Sequence, residues 1–292
     1  MRGMELRRFR RIEDFYRRAE RFLLAREAEH NLILGICGPG RRQPARFDQQ
    51  PYLAVVEQQG AVVAAAMMTP PFNLILSELA TPAALPLIAQ DVYRLHATLP
   101  GVLAPSAVAE PFVACWQTLS GQPYRLRMAQ RIYRLTAVTP VQGVPGHLLR
   151  AGNADRDLLV AWAVDFYLEA DQQTDVQRAH SLAERNVEAR LNTDPGGYYL
   201  WIDGAPVSLA GCTGPTPNGI RIGPVYTPPE QRSHGYASAT VAALSQLLLD
   251  RGFRSCFLFT DLSNPTSNKI YQAIGYQAVS DVDEYAFGAE PA

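Results

Sequence analysis

One order of elements can be read twice along this chain of 292 residues. In the first half, apolar residues at helical spacing predict helices over 13–27 and 30–37. A hairpin follows, 52–56 and 61–67 around Gln59-Gly60, then a strand over 73–79. A helix over 83–97, a short strand over 101–103, a helix over 106–119 and a long strand over 125–138 complete it. The second half gives helices over 155–169 and 176–191, a hairpin 198–202 and 207–212 around Asp203-Gly204, and a strand over 220–227. After these come a helix over 236–251, a strand over 255–260, a helix over 266–274 and an extended stretch over 276–287. Between the halves, Pro140, Gly143, Pro145 and Gly146 mark a linker over 139–147. The expected domains are therefore 1–138 and 148–292. Such a repeat restricts the fold to two copies of one mixed α/β unit, because each copy must bury the apolar faces of the same helices on the same strands.

Composition excludes several functional classes. An apolar fraction of 47% and a charged fraction of 19% describe a globular chain. The net charge of −1 supplies no field for nucleic acid or anionic lipid, and neither is an expected partner. The arginines between Arg2 and Arg26 alternate with Ile12, Phe15, Tyr16, Ala19, Phe22 and Leu23 and are offset by five carboxylates, which predicts the solvated face of an amphipathic helix. The start of the chain lacks the apolar core of a signal peptide, and the longest apolar run, Ala61 to Met68, is too short to span a bilayer. A cytoplasmic protein is expected. Cys37, Cys115, Cys212 and Cys256 are far apart and unpaired in pattern, so reduced thiols and no metal site are expected. The glycines at 35, 38 and 40 follow a helix-like run and read as a loop.

The segment that carries chemistry runs from Val225 to Ser238. An apolar strand enters it, and Pro228 and Pro229 end the ladder. A polar loop then leads to Gly235 at a helix start. Free amide N–H groups and the positive end of the helix dipole make such a terminus a phosphate site, Gly235 lets the ligand approach, and Arg232 can add a forked cationic contact. A second segment, Asn264 to Tyr276, follows a buried strand, with Asn268 and Tyr271 three apart on one helical face.

Together the two segments resemble the GNAT acyltransferase superfamily. Val-Tyr-Thr-Pro followed by Arg232-x-x-Gly235-x-Ala237 resembles its pyrophosphate motif, and Asn264 through Gly275-Tyr276 resembles the motif after it. The resemblance implies a tandem GNAT protein of α/β (α+β) class. Each domain would be a mixed, mostly antiparallel sheet flanked by helices. It implies acetyl-CoA as co-substrate and no metal. The backbone at Val225 and Thr227 would pair with the pantetheine arm. The amides of Ser233, His234, Gly235, Tyr236 and Ala237, with Arg232, would hold the pyrophosphate. Asn264 and Asn268 would line the thioester end, and Tyr271 would protonate the departing thiolate. The acceptor would be an amine of a small molecule or peptide.

Two departures qualify the resemblance. The strands at 207–213 and 220–227 contain no glutamate to serve as base, which leaves Asp165, Glu169, Glu284 or water. After Leu79 the first half reads Ala-Thr-Pro-Ala-Ala, with no phosphate motif, so the N-terminal domain is expected to be degenerate and only the C-terminal one to bind acyl-CoA. A non-catalytic acyl-CoA sensor, an O-acyltransferase and a longer-chain acyltransferase stand as alternatives.

Overall fold

A computed structural model describes the chain apart from residues 1–2, 44–46, 48, 171–174 and 289–292. It divides into two compact units. The first comprises Met1–Ile132, Phe259–Pro265 and Ala278–Ala292, the second Tyr133–Leu258 and Thr266–Gln277.

The first unit is a mixed sheet between two helical layers. Strands β1 (Met4–Arg8), β2 (Tyr52–Gln58), β3 (Ala61–Met68) and β4 (Leu74–Leu76) are antiparallel neighbours. Strand β5 (Gly101–Pro105) runs parallel to β4. Helices α1 (Ile12–Leu24) and α2 (Asn31–Arg42) cover one face, packing Phe15, Leu23, Ile33 and Leu34 on Leu53, Val55, Ala65 and Met67. Helices α3 (Leu85–Leu95) and α4 (Ser106–Ser120) cover the other, packing Ile88, Val92, Phe112 and Trp116 on Ala54, Val56, Ala64, Ala66 and Val102. Alternate strand residues serve opposite layers, as the pleat requires. The turn between β2 and β3 places both Gln59 (φ 53°) and Gly60 (φ 79°) in the left-handed region, the geometry of a two-residue hairpin.

Beyond β5 the chain order breaks. The partner of β5 is β12 (Gln277–Phe287), antiparallel, with Asp283 opposite Ala104 and Ala286 opposite Gly101. The strand β6 (Tyr124–Leu135) lies beside β12 in the first unit up to Ile132, and its last residues, from Tyr133, belong to the second. The compact units thus differ from a division at 138 and 148. An unpaired strand edge accepts any strand of suitable polarity, and period-two alternation does not specify which one arrives.

The second unit repeats the plan. Strands β7 (His147–Arg150), β8 (Gly197–Asp203), β9 (Ala205–Thr213) and β10 (Gly219–Tyr226) are antiparallel neighbours, and β11 (Ser255–Asp261) runs parallel to β10. Helices α5 (Arg156–Ala170) and α6 (Val176–Leu191) pack on Tyr198, Leu200, Leu209 and Tyr226. Helices α7 (Tyr236–Asp250) and α8 (Pro265–Ile274) pack on Tyr199, Ala210, Ile220, Ile222 and Leu258. The expected mixed, mostly antiparallel architecture is therefore present in both units.

Three local readings need correction. The strands β1 and β7 open the two halves: β1 occupies arginines read as part of a helical face, and β7 begins at His147, the end of the expected linker, with no strand predicted at either place. Both are short and mostly exposed, so backbone pairing holds them rather than apolar burial. The glycines at 35, 38 and 40 lie inside α2, not in a loop, and a Cβ on Gly40 would stand 2.7 Å from Cδ1 of Ile12, so glycine allows the close α1–α2 approach. The arginine face of α1 is solvated as expected and laced with ion pairs, Arg18 to Glu57 at 2.8 Å and Arg17 to Glu13 at 3.6 Å. Among the described residues no helix is long and apolar enough to cross a membrane.

Candidate functional site

The second unit concentrates the predicted site residues around β10 and the helix that follows it. The parallel ladder between β10 and β11 pairs Gly219, Ile220 and Arg221 with Ser255, Cys256 and Phe257. Past it, β10 shifts register against β9 between Ile222 and Val225, a bulge at Gly223-Pro224. A bulge leaves local backbone groups outside the ladder and re-aims them. Val225 resumes pairing opposite Ala210, and Tyr226 opposite Leu209.

The chain leaves β10 through Thr227, whose hydroxyl hydrogen-bonds the buried Ser208 hydroxyl at 2.8 Å. A 3₁₀ turn over Pro229–Gln231 follows. Ser233 (φ 67°) and Gly235 (φ 81°) then both take the left-handed conformation, and Gly235 caps α7. That conformation costs a non-glycine residue such as Ser233 about 1–2 kcal/mol, so the surrounding loop must hold it. Left-handed residues alternating with ordinary ones turn successive N–H groups toward one concavity, an anion nest. The first helical bond at this end runs from Ala239 N–H to Gly235 C=O, so the amides of Tyr236, Ala237 and Ser238 precede it. No side chain caps this terminus. Tyr236 is buried, donates its hydroxyl hydrogen to Asp203 at 2.6 Å, and stacks on the His234 ring at 5.6 Å. These contacts fix the entry of α7 relative to the hairpin.

The Arg232 guanidinium is already engaged. Its Nε donates to the Thr227 carbonyl at 2.9 Å, and its Nη2 donates to both carboxylate oxygens of Glu169 at 2.7 and 2.8 Å. Of the three candidate bases, Glu169 is thus committed to an ion pair. Glu284 lies in the first unit, where Arg127 holds it at 2.8 Å and Asn73 at 2.9 Å. Asp165 accepts a hydrogen bond from the Tyr226 hydroxyl at 3.3 Å and, with Glu169, Tyr226 and Pro229, lines an open concavity. The Trp162 ring packs on Tyr226 at 6.2 Å behind it.

The second motif forms α8. Tyr271 is buried on the face that meets Tyr133 and Tyr276, at centroid distances of 6.4 and 6.0 Å. Burial pushes its phenol up to about 12, which keeps the proton on oxygen at neutral pH. Asn268 accepts from the Tyr133 hydroxyl at 3.0 Å, and Gln272 donates to the same hydroxyl at 3.2 Å. Asn264 immediately precedes α8, its amide bonded to the Asp261 carbonyl at 3.2 Å, and it falls in the first unit. The second unit contains Val225, Thr227, Arg232 to Ala237, Asn268 and Tyr271. Tyr133 was missed by sequence reasoning. It stands 135 positions from Asn268, and no local pattern links them.

The family described as Acetyltransferase (GNAT) family matches residues 157–276 of this chain. No curated protein matches the sequence. An X-ray structure of a Drosophila protein aligns over 99% of this chain and 100% of its own, with a TM-score of 0.68 and 10% identity. A GCN5-related N-acetyltransferase from Sphaerobacter thermophilus aligns over 99% of this chain and 98% of its own, with a TM-score of 0.59 and 15% identity. A tandem GNAT protein from the clavulanic acid biosynthesis pathway aligns over 99% of this chain and 100% of its own, with a TM-score of 0.55 and 13% identity. At these identities the likeness is one of fold.

Proposed function

We propose that the second unit transfers the acetyl group of acetyl-CoA to an amine of a small molecule or peptide, because residues 157–276 match the GNAT acetyltransferase family and the chain is similar in fold to a tandem GNAT protein. The observation that carries this is the left-handed pair Ser233 and Gly235 opening α7, a nest of amides suited to a pyrophosphate. In this reading the backbone of Val225 and Thr227 pairs with the pantetheine arm, and the amides from Ser233 to Ala237 hold the phosphates. Asn268 lines the thioester end.

The amine nitrogen attacks the thioester carbonyl, a C–N bond forms and the C–S bond breaks. The bulge at Gly223-Pro224 supplies backbone groups outside the ladder near the developing oxyanion. Tyr271 gives its proton to the departing thiolate and regains one from solvent. The proton lost by the amine passes to water or to Asp165, the one candidate carboxylate in this unit not held in an ion pair with Arg232.

The absence of any carboxylate from β9 and β10 favours a second reading, an acyl-CoA sensor without turnover. One experiment separates them. Titration calorimetry with acetyl-CoA is expected to give one site per chain, since the first turn of α3 carries Pro86 and so offers one amide fewer where the first unit would need a phosphate cradle. Coenzyme A release with a panel of primary amines is expected to show turnover. Binding without release for every amine and alcohol tried would return the sensor reading.

A further inference from the structure

At the end of β10, on the face that α5 covers, lies the open concavity of about 340 Å³ lined by Asp165, Leu168, Glu169, Tyr226 and Pro229. All five residues belong to the second unit. Tyr226 directly follows Val225, the residue assigned to the pantetheine arm in the acetyltransferase reading. Successive strand residues face opposite layers, so Tyr226 packs in the core under α5 and α6 while Val225 packs in the core under α7 and α8. The concavity thus opens one strand residue from the cofactor's proposed path, where an acceptor has to arrive.

Its walls divide into an apolar and an anionic part. Leu168, Pro229 and the Tyr226 ring form the apolar part, and Trp162 backs that ring at 6.2 Å. The two carboxylates differ. Glu169 is neutralised by Arg232, which donates to both of its oxygens at 2.7 and 2.8 Å. Asp165, among the described residues, makes no ion pair and accepts one side-chain hydrogen bond, from the Tyr226 hydroxyl at 3.3 Å. A carboxylate has about four acceptor positions, so most of those of Asp165 are open to a ligand. Burial first, then the charges of Asp165 and Glu169, push the Tyr226 phenol up to about 12, and its hydroxyl stays a donor at neutral pH. No cation lines this concavity among the described residues. Arg156, which lines a second concavity that shares Asp165, is itself held by Glu188 at 2.7 Å and by Asp157 at 3.4 Å.

Apolar walls around one uncompensated carboxylate suit an ammonium group on an apolar body and oppose a second carboxylate brought in beside it. We propose that the acceptor is an apolar primary amine with no carboxylate next to its amino group, held as the ammonium ion by Asp165, and that free α-amino acids are rejected by charge. The bound ammonium gives its proton to water or to Asp165 before the nitrogen attacks, the route already described. The inference rests on the acetyltransferase reading for its reaction. It adds the substrate class, and it assigns Asp165 to selecting it.

The test uses the full-length protein saturated with acetyl-CoA and follows coenzyme A release. It compares phenethylamine with phenylalanine, and isoamylamine with leucine, pairs that differ only in the carboxylate. The amine of each pair is expected to have the higher kcat/KM by about tenfold or more at low salt, mainly through KM, with the gap narrowing as salt rises. Basicity cannot produce this result, because the amino acid has the less basic nitrogen and more of it is neutral. Asp165→Asn keeps the shape and removes the charge, and is expected to cut the ratio within each pair by about fivefold. Both members of a pair share the proton-transfer step, so the ratio reports recognition even if kcat also falls. Leu168→Lys sets a cation in the concavity and is expected to lower the same ratio, with the Kd for acetyl-CoA unchanged. Amino acids used as well as or better than the amines, or a ratio untouched by Asp165→Asn, overturns the proposal. If no amine is acetylated, the acetyltransferase reading fails by itself, and calorimetry with phenethylamine decides the site. Binding to the native protein that Asp165→Asn weakens upholds an ammonium site, and no binding overturns it.

Discussion

The hydroxyl of Tyr133, on β6, donates to Oδ1 of Asn268, on α8, over 3.0 Å. Tyr133 and Leu135 are fully buried in the core that α7 and α8 share with β10 and β11. The last strand of the first half is thus built into the second unit. Tyr133→Ala is expected to lower stability by about 3–5 kcal/mol, the cost of emptying a large aromatic site. Tyr133→Phe removes only the bonds to Asn268 and Gln272 and should cost about 1 kcal/mol. Denaturant melts of the two variants check this, and equal midpoints for Tyr133→Phe and the native chain would remove the hydroxyl from the account.

Tyr271→Phe is expected to lower kcat by about 10²–10⁴-fold while leaving the Kd for acetyl-CoA nearly unchanged, because only the hydroxyl is lost. The same residue sets a pH signature. Its phenol titrates near 10 when unfolded and near 12 when folded, so the native state holds the proton more tightly. The associated stability is complete below pH 10 and is lost as pH rises from 10 through 12. Tyr271→Phe should shrink that alkaline loss by about 3 kcal/mol. Urea melts at pH 9 and pH 12 measure it, and identical losses in both proteins would place the shift elsewhere.

Arg232 is held by Glu169 in an ion pair whose side chains are 45% and 48% exposed. Exposed pairs contribute about 0–1 kcal/mol, so Glu169→Gln should barely change Tm. It should, however, release the guanidinium toward the anion nest and tighten acetyl-CoA binding about two- to fivefold at low salt, with the gain fading as salt rises. An unaltered Kd at low salt would assign Arg232 to holding α5 and the Thr227 carbonyl.

Gly235 lies against Val144, whose Cγ2 would stand 2.9 Å from a Cβ at that position. With φ at 81°, Gly235→Ala pays both for the left-handed backbone and for this contact, about 1–3 kcal/mol in total. Val144→Ala in the same chain should recover the contact part alone. Gly235→Glu should in addition abolish acetyl-CoA binding, by setting a carboxylate among the amides. Normal calorimetric binding by that variant would falsify the phosphate-loop assignment.

Much of the architecture was legible in local pattern. The hairpin turns at Gln59-Gly60 and Asp203-Gly204, and the stops of α7 near Gly252 and α8 at Gly275, follow from the left-handed region that glycine enters without penalty. The edges β1 and β7 were not legible. Four or five residues with few buried side chains carry little periodic signal, and their stability comes from ladders with residues some 50 positions away.

The sequence by itself determined the repeated order of helices and strands, the phosphate-loop pattern from Arg232 to Ala237, and the placing of Asn268 and Tyr271 on one helical face. Each depends on interactions between near neighbours: capping, turn conformation and the helical period. Only the tertiary structure decided that β12 pairs with β5, that Tyr133 enters the core behind Tyr271, and that Glu169 takes the guanidinium of Arg232. Those outcomes depend on which distant strand edge, charge or cavity a side chain meets once the layers close, and no spacing along the chain encodes that distance.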